Sequence, residues 1–116
     1  MKSPPAELLE ELSKKHEDVF VFEKGGHVFV LRRAAALVYR KWIGRRGKGP
    51  EHNYDADEEL ARQCVLWPEP EPLSAIFDRF PGLVTEVAGE VIALAHASEK
   101  SEAKKYEPSS RGLSST

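Results

Sequence analysis

A chain of 116 residues, 41% hydrophobic and 31% charged, has the make-up of one ordinary globular domain and not of a fibrous or wholly disordered chain. Its formal net charge of −2 excludes a global electrostatic drive toward nucleic acid, so any such binding has to come from a local patch. The single cysteine, Cys64, excludes an internal disulfide and a zinc site built from cysteine pairs, and fits a reducing, cytoplasmic setting.

The run from Met1 to Glu11 lacks the roughly 7–15 consecutive apolar residues of a secretory signal, and no stretch approaches the ~20 of a membrane span. A cytoplasmic protein without a membrane partner is therefore expected. Ser3-Pro-Pro5 suits a helix start, and Leu8, Leu9 and Leu12 set a short apolar stripe among acidic residues, which predicts a brief amphipathic helix. Asp18 to Glu23 and His27 to Arg32 are rich in β-branched and aromatic residues. Lys24-Gly25-Gly26 between them supplies the positive φ of a tight turn, so the pair predicts a β-hairpin. Two strands alone are marginal in water, so helices or a sheet in another subunit must cover a face, and a homo-oligomer is compatible with that need.

From Arg33 to Ile43, Leu31, Ala34, Ala35, Val38 and Trp42 recur at helical spacing and predict a helix that follows the hairpin directly. Gly44 to Pro50 holds three glycines and a proline and reads as a mobile loop. Asp55 with Glu58 three residues on resembles a capping box. Leu60, Ala61, Cys64 and Val65 then carry the buried stripe of a helix that stops at Trp67-Pro68. Pro68-Glu-Pro-Glu-Pro72 reads as a stiff extended spacer. Leu73 to Phe80 suits a short helix, and Pro81 at N1 opens the next. In that last helix Val84, Val87, Ala88, Val91, Ile92 and Ala95 make one apolar face at the centre of the core.

Beyond Ala97 the chain is polar and ends in a serine-rich run, so it cannot offset its ordering entropy by burial. The expected architecture is a single α+β domain over residues 1–98, mostly helical, with one β-hairpin packed against four or five helices. A flexible, disordered polar tail is expected over 99–116.

Catalytic groupings are missing from this pattern. His16, His27, His52 and His96 fall in separate elements, none at a metal-ligating spacing. His52 with Asp55 and Asp57 is an oxygen-rich cluster, and an exposed acidic helix start has the same composition without a cation. Gly44-Arg-Arg-Gly-Lys-Gly49 departs from a phosphate loop because Pro50, not Ser or Thr, follows and a helix precedes it. Cys64 within an apolar stripe reads as a core residue. No catalytic residue, metal or cofactor is expected.

The strongest electrostatic feature is Arg32, Arg33, Arg40, Lys41, Arg45, Arg46 and Lys48, with no acidic residue between Glu23 and Glu51. It offers a surface to an acidic partner or to phosphates, or it is balanced internally by Glu51, Asp55, Asp57, Glu58 and Glu59; the balance is the simpler reading and makes nucleic acid an unlikely partner. Trp42, Trp67, Phe77 and Phe80 are explained first by packing, yet a domain this small has room for some of them at a groove edge. The expected partner contacts are therefore Arg33, Arg40, Lys41, Trp42, Arg45, Arg46, Trp67, Phe77 and Phe80.

The series Val28-Phe-Val-Leu-Arg-Arg33, Tyr39, Asp57-Glu-Glu-Leu60, Cys64-Val-Leu-Trp-Pro68 and Phe80-Pro-Gly-Leu83 resembles the small tail assembly chaperones of long-tailed bacteriophages and of prophage or tail-like gene clusters. The resemblance covers about residues 17–98. It implies a non-enzymatic protein of the host cytoplasm that keeps the tape measure protein, or another tail protein, soluble until tube subunits polymerise around it, and that is absent from the finished tail. It also implies that a longer form could arise by ribosomal frameshifting near the end of the gene. Two other readings stand beside it: a tail or baseplate component retained in the particle, and a small regulatory protein that binds nucleic acid through the Arg32 to Lys48 patch.

Overall fold

Gly25 and Gly26, at φ of 60° and 78°, turn the chain tightly between β1 (Val19–Lys24) and β2 (His27–Arg32), a conformation that residues with a Cβ adopt at a cost. The strands pair antiparallel from Val19↔Arg32 to Lys24↔His27. That register puts Phe22 opposite Phe29 and Phe20 opposite Leu31 on one face, and Val21 opposite Val30 on the other. The computed structural model describes residues 3–96 and 101–107. Among them are five α-helices and a four-stranded sheet, ordered β3-β2-β1-β4, of an α+β domain.

Both faces of the hairpin are buried. Phe20, Phe22, Phe29 and Leu31 join Leu60, Ala61 and Cys64 of α3 (Asn53–Cys64), Leu73 and Phe77 of α4 (Pro70–Arg79), and the apolar side of α5 (Gly82–Ala95) in the main core. The rings of Phe29 and Phe77 stack 6.2 Å apart. On the other face Val19, Val28, Val30 and Trp67 meet Leu8, Leu9 and Leu12 of α1 (Ala6–Lys15), so the expected amphipathic stripe is the lid of a second, smaller core. The α5 face also holds, with Leu83 and Leu94 buried in it, while Ala95 is exposed.

Several boundaries differ from the sequence expectation. The helix expected to reach Trp67 ends at Cys64, and Val65–Trp67 forms β3, which pairs with β2 at Leu31↔Val65 and Val30↔Trp67. The residue before a proline avoids the α region, and an edge strand tolerates the proline that follows. The Trp67–Pro68 peptide is cis. The proline run is not a spacer, since Pro70 and Pro72 lie in the first turn of α4, where a missing N–H has no cost. Pro81 is the N-cap of α5, one residue before the position expected.

Residues 33–35 are not helical; α2 spans Ala36–Arg46 and so runs through Gly44 into the segment expected as a loop. Interior glycine costs only about 1 kcal/mol against alanine, and Arg45 and Arg46 suit the negative end of the helix. α3 begins at Asn53, after a 3-10 turn at Pro50–His52, with no side-chain cap; Asp55 sits in its first turn and not at the N-cap.

Within the stretch expected as a tail, Lys104–Lys105 form β4 on the outer edge of β1. Residues 99–100 and 108–116 of that stretch lie outside the described residues. Glu90, 7% exposed, accepts from the Ser101 hydroxyl and, at 2.7 Å, from the Ala103 N–H; a carboxylate at such depth needs these donors. Asp18 accepts from Arg33 Nε at 2.9 Å and pairs with Lys105 Nζ at 3.1 Å. Hydrogen bonds from Arg33 first, then from Lys105, hold the Asp18 carboxyl below its ordinary range.

Phe29→Ala should cost about 3–5 kcal/mol in urea unfolding, whereas Phe80→Ala, at a ring 42% exposed, should cost less than about 1 kcal/mol. Because the folded Asp18 pKa is depressed, its contribution to stability is present above the unfolded carboxylate value and is lost as pH falls through the folded one. Asp18→Asn should therefore be less stable than the native chain at pH 7, with the gap closing below about pH 4; a constant gap between pH 7 and 2.5 would contradict the assignment.

Candidate partner-binding site

α2 contains no buried residue. Val38 and Trp42, half-buried, pack it against the main core, and polar bonds to α3 supply the rest of its hold. Asp57 is the hub: Trp42 Nε1 donates to its Oδ1 at 2.8 Å and Arg46 Nη1 donates to the same atom at 3.0 Å. Arg46 also lies over the Trp42 ring, 5.1 Å from its centroid. Beside this hub, Arg45 pairs with Glu59. Arg62 closes the far side of α3, pairing with Glu58 at 2.9 Å and donating to Ser74 of α4 at 2.9 Å.

Between the two helices lies a cleft of about 80 Å³, floored by Val38, Trp42, Ala56 and Leu60 and rimmed by Leu37, Lys41, Arg45 and Glu59. Leu37 is 57% exposed and Ile43 is 50% exposed. These two large aliphatic side chains flank the Val38/Trp42 stripe on either side, so α2 presents apolar surface beyond what its own packing covers. A second depression, about 360 Å³, lies where the start of α2 meets the end of α5 and is lined by Arg33, Ala34, Tyr39, Arg40, Leu94 and His96. The Tyr39 hydroxyl is 2.7 Å from His96 Nε2 there, and Arg33 Nη1 donates to the Leu94 carbonyl at 2.7 Å.

The expected contact residues are thus divided. Lys41, Trp42 and Arg45 line the cleft and Arg46 braces it; Arg33 and Arg40 line the neighbouring depression. Trp67 and Phe77 are buried on opposite faces of the sheet, which corrects their place among surface contacts. Phe80 is exposed but sits by the hairpin turn, its ring 5.6 Å from that of His27. Leu37 and Ile43 were absent from the expectation because both fall off the stripe that marks a packed helix face. That off-stripe position of two large aliphatics was the available signal.

Three of the seven basic side chains of the segment are neutralised within the fold, Arg33 by Asp18, Arg45 by Glu59 and Arg46 by Asp57, while Arg32 Nε donates to the Gln63 carbonyl at 3.1 Å. Arg40, Lys41 and Lys48 have no ion-pair partner among the described residues. His52 lies 3.7 Å from Glu51, and Asp57 is turned to Trp42 and Arg46, so the His52, Asp55 and Asp57 cluster is not assembled. Among the described residues no group of three or more His, Cys, Asp or Glu could hold a metal ion, and no helix is long and apolar enough to cross a membrane.

Comparison with protein-family models, with curated proteins and with solved structures finds no match to this chain. The site therefore rests on its own geometry.

Cys64 is buried at the end of α3, and burial pushes its thiol up to about 11, with Arg32 pulling weakly the other way. At pH 8 the native thiol should resist iodoacetamide over hours and react fully once the chain is unfolded; rapid native alkylation would show that α3 does not seal it. The sign also implies stability lost above about pH 9, where the unfolded chain releases this proton first.

Proposed function

We propose that this domain is a non-enzymatic binding protein that keeps an aggregation-prone helical protein soluble during assembly, in the manner of a phage tail assembly chaperone acting on a tape-measure-like client. The observation that carries this reading is α2, a helix with no buried residue, two half-exposed large aliphatics, and an apolar cleft beside it. An amphipathic helix laid against α2 would cover Leu37 and fill the Val38/Trp42/Leu60 floor, in the helix-in-groove mode of recognition. Arg40 and Lys41, which have no ion-pair partner among the described residues, favour a client with acidic residues along the edge of its apolar stripe.

The internal pairing of Arg33, Arg45 and Arg46 takes three of the seven basic side chains away from a phosphate chain, which favours a protein partner over nucleic acid. Retention in a finished particle remains the rival fate for the same surface, and mass spectrometry of purified particles separates the two.

Co-expression with the products of adjacent genes tests the proposal. The native chain should hold a long, helix-rich partner in the soluble fraction. The double variant Leu37→Asp with Ile43→Asp should lose most of that capture while keeping its far-UV spectrum and melting within the small range of surface substitutions, about 0.5 kcal/mol each. Equal capture by the double variant would overturn the assignment of α2. Recovery of nucleic acid alone, in a manner that weakens steeply with salt, would overturn the protein-partner reading.

A further inference from the structure

We propose that the outer edge of β1 is a strand-addition site for an extended segment of a partner protein, and that residues 101–107 occupy it in cis as a releasable cover. This surface is independent of the α2–α3 cleft and of its client.

The cover reaches only part of the edge. Lys105 and Lys104 pair with Phe20 and Val21, and the Tyr106 N–H donates to the Val19 carbonyl at 2.6 Å; Phe22, Glu23 and Lys24 have no strand beyond them among the described residues. Its hold is mostly polar, part-buried at Glu90 and Glu10 and exposed at its ion pairs. Glu102 meets Lys24 at 3.3 Å and Lys105 meets Asp18 at 3.1 Å, and such pairs contribute about 0–1 kcal/mol each. Ala103 and Tyr106 supply the only apolar packing, one on each core. A segment so held opens at lower free energy than the strands beneath it, and an opened edge presents unpaired N–H and C=O groups to any extended chain.

The seats left behind specify the occupant. Glu90 takes a backbone N–H beside a small residue, as it does from Ala103. Asp18 takes a cation two positions on, as from Lys105. Glu10 accepts from a phenol at the next position, as from Tyr106 at 2.6 Å, with Leu8, Leu9 and Leu12 around the ring. The partner segment is therefore an extended peptide that reads small, any residue, basic, aromatic. Main-chain pairing gives the affinity and these three seats the choice.

A fluorescent peptide of residues 101–107 measures this by anisotropy against the full chain and its Tyr106→Pro variant, which lacks both the N–H to Val19 and the phenol. A cover closed about nine-tenths of the time weakens apparent affinity roughly ten-fold, so the variant should bind up to about that much tighter than the native chain. Replacing the peptide's second lysine by glutamate should weaken binding about five-fold or more. Equal affinity for both chains, or no uptake by a folded variant, overturns the proposal. If the variant does not fold, hydrogen exchange on the native chain decides: the Tyr106 amide must exchange faster than amides that pair β1 with β2, and exchange at the global rate overturns it. Dimerisation of the native chain through this edge that blocks peptide uptake assigns the edge to a second copy and also overturns it.

Discussion

Everything in this domain depends on a hairpin that is apolar on both faces. Most antiparallel pairs leave one side to water, but here Phe20, Phe22, Phe29 and Leu31 form one face and Val19, Val28 and Val30 the other, and all are buried. Each side chain so buried contributes about 1.5–3 kcal/mol relative to exposure, so neither face can be left uncovered. The main face takes α3, α4 and α5. The opposite face takes α1 and Tyr106, and neither of these has a fully buried residue of its own. The order of elements follows, since the chain has to visit both sides of the same two strands.

The second constraint is charge arranged in blocks. A basic run in α2 is followed within a few residues by an acidic run in α3, and folding one helix back on the other sets them side by side. Asp57 gathers Trp42 and Arg46, and Arg45 finds Glu59. Pairs of this kind add little stability when solvent reaches them; what they decide is position. They hold a helix that the core itself does not bury, and a helix held from its polar side is free to keep Leu37 and Ile43 in water. The electrostatics that look in the sequence like a binding patch work mainly as a mount for a helix that keeps Leu37 and Ile43 exposed.

Local pattern made the hairpin, its turn and the α5 stripe legible, because period and turn chemistry are both properties of neighbouring residues. The errors lie where tertiary pairing overrides them. Val65-Leu66-Trp67 continues a helical stripe and is also β-branched and aromatic ahead of a proline; the free edge of β2 decided between the two. Gly44 looked like a helix stop, yet its neighbours Arg45 and Arg46 had acceptors waiting on α3. Lys104-Lys105 has no strand character at all and becomes β4 because the β1 edge, Glu90 and Asp18 are already in place. The cleft was half legible: Lys41, Trp42 and Arg45 stood out by charge and ring size, while Leu37 and Ile43 were marked only by falling off the apolar stripe, since exposure itself is a relation between helices.

The two surfaces differ in kind because the domain is small. A chain of this size cannot bury all of its apolar side chains, because a smaller fold keeps a larger fraction of its surface in water. The α2–α3 cleft is the residue of that shortage, with Leu37, Val38, Trp42 and Leu60 among its lining. The β1 edge has the opposite problem, since an uncovered edge next to two apolar faces invites association with any extended chain. Covering it with a polar segment that carries two lysines resolves that hazard without adding much stability, and a cover chosen for solubility is by its chemistry one that another strand can replace.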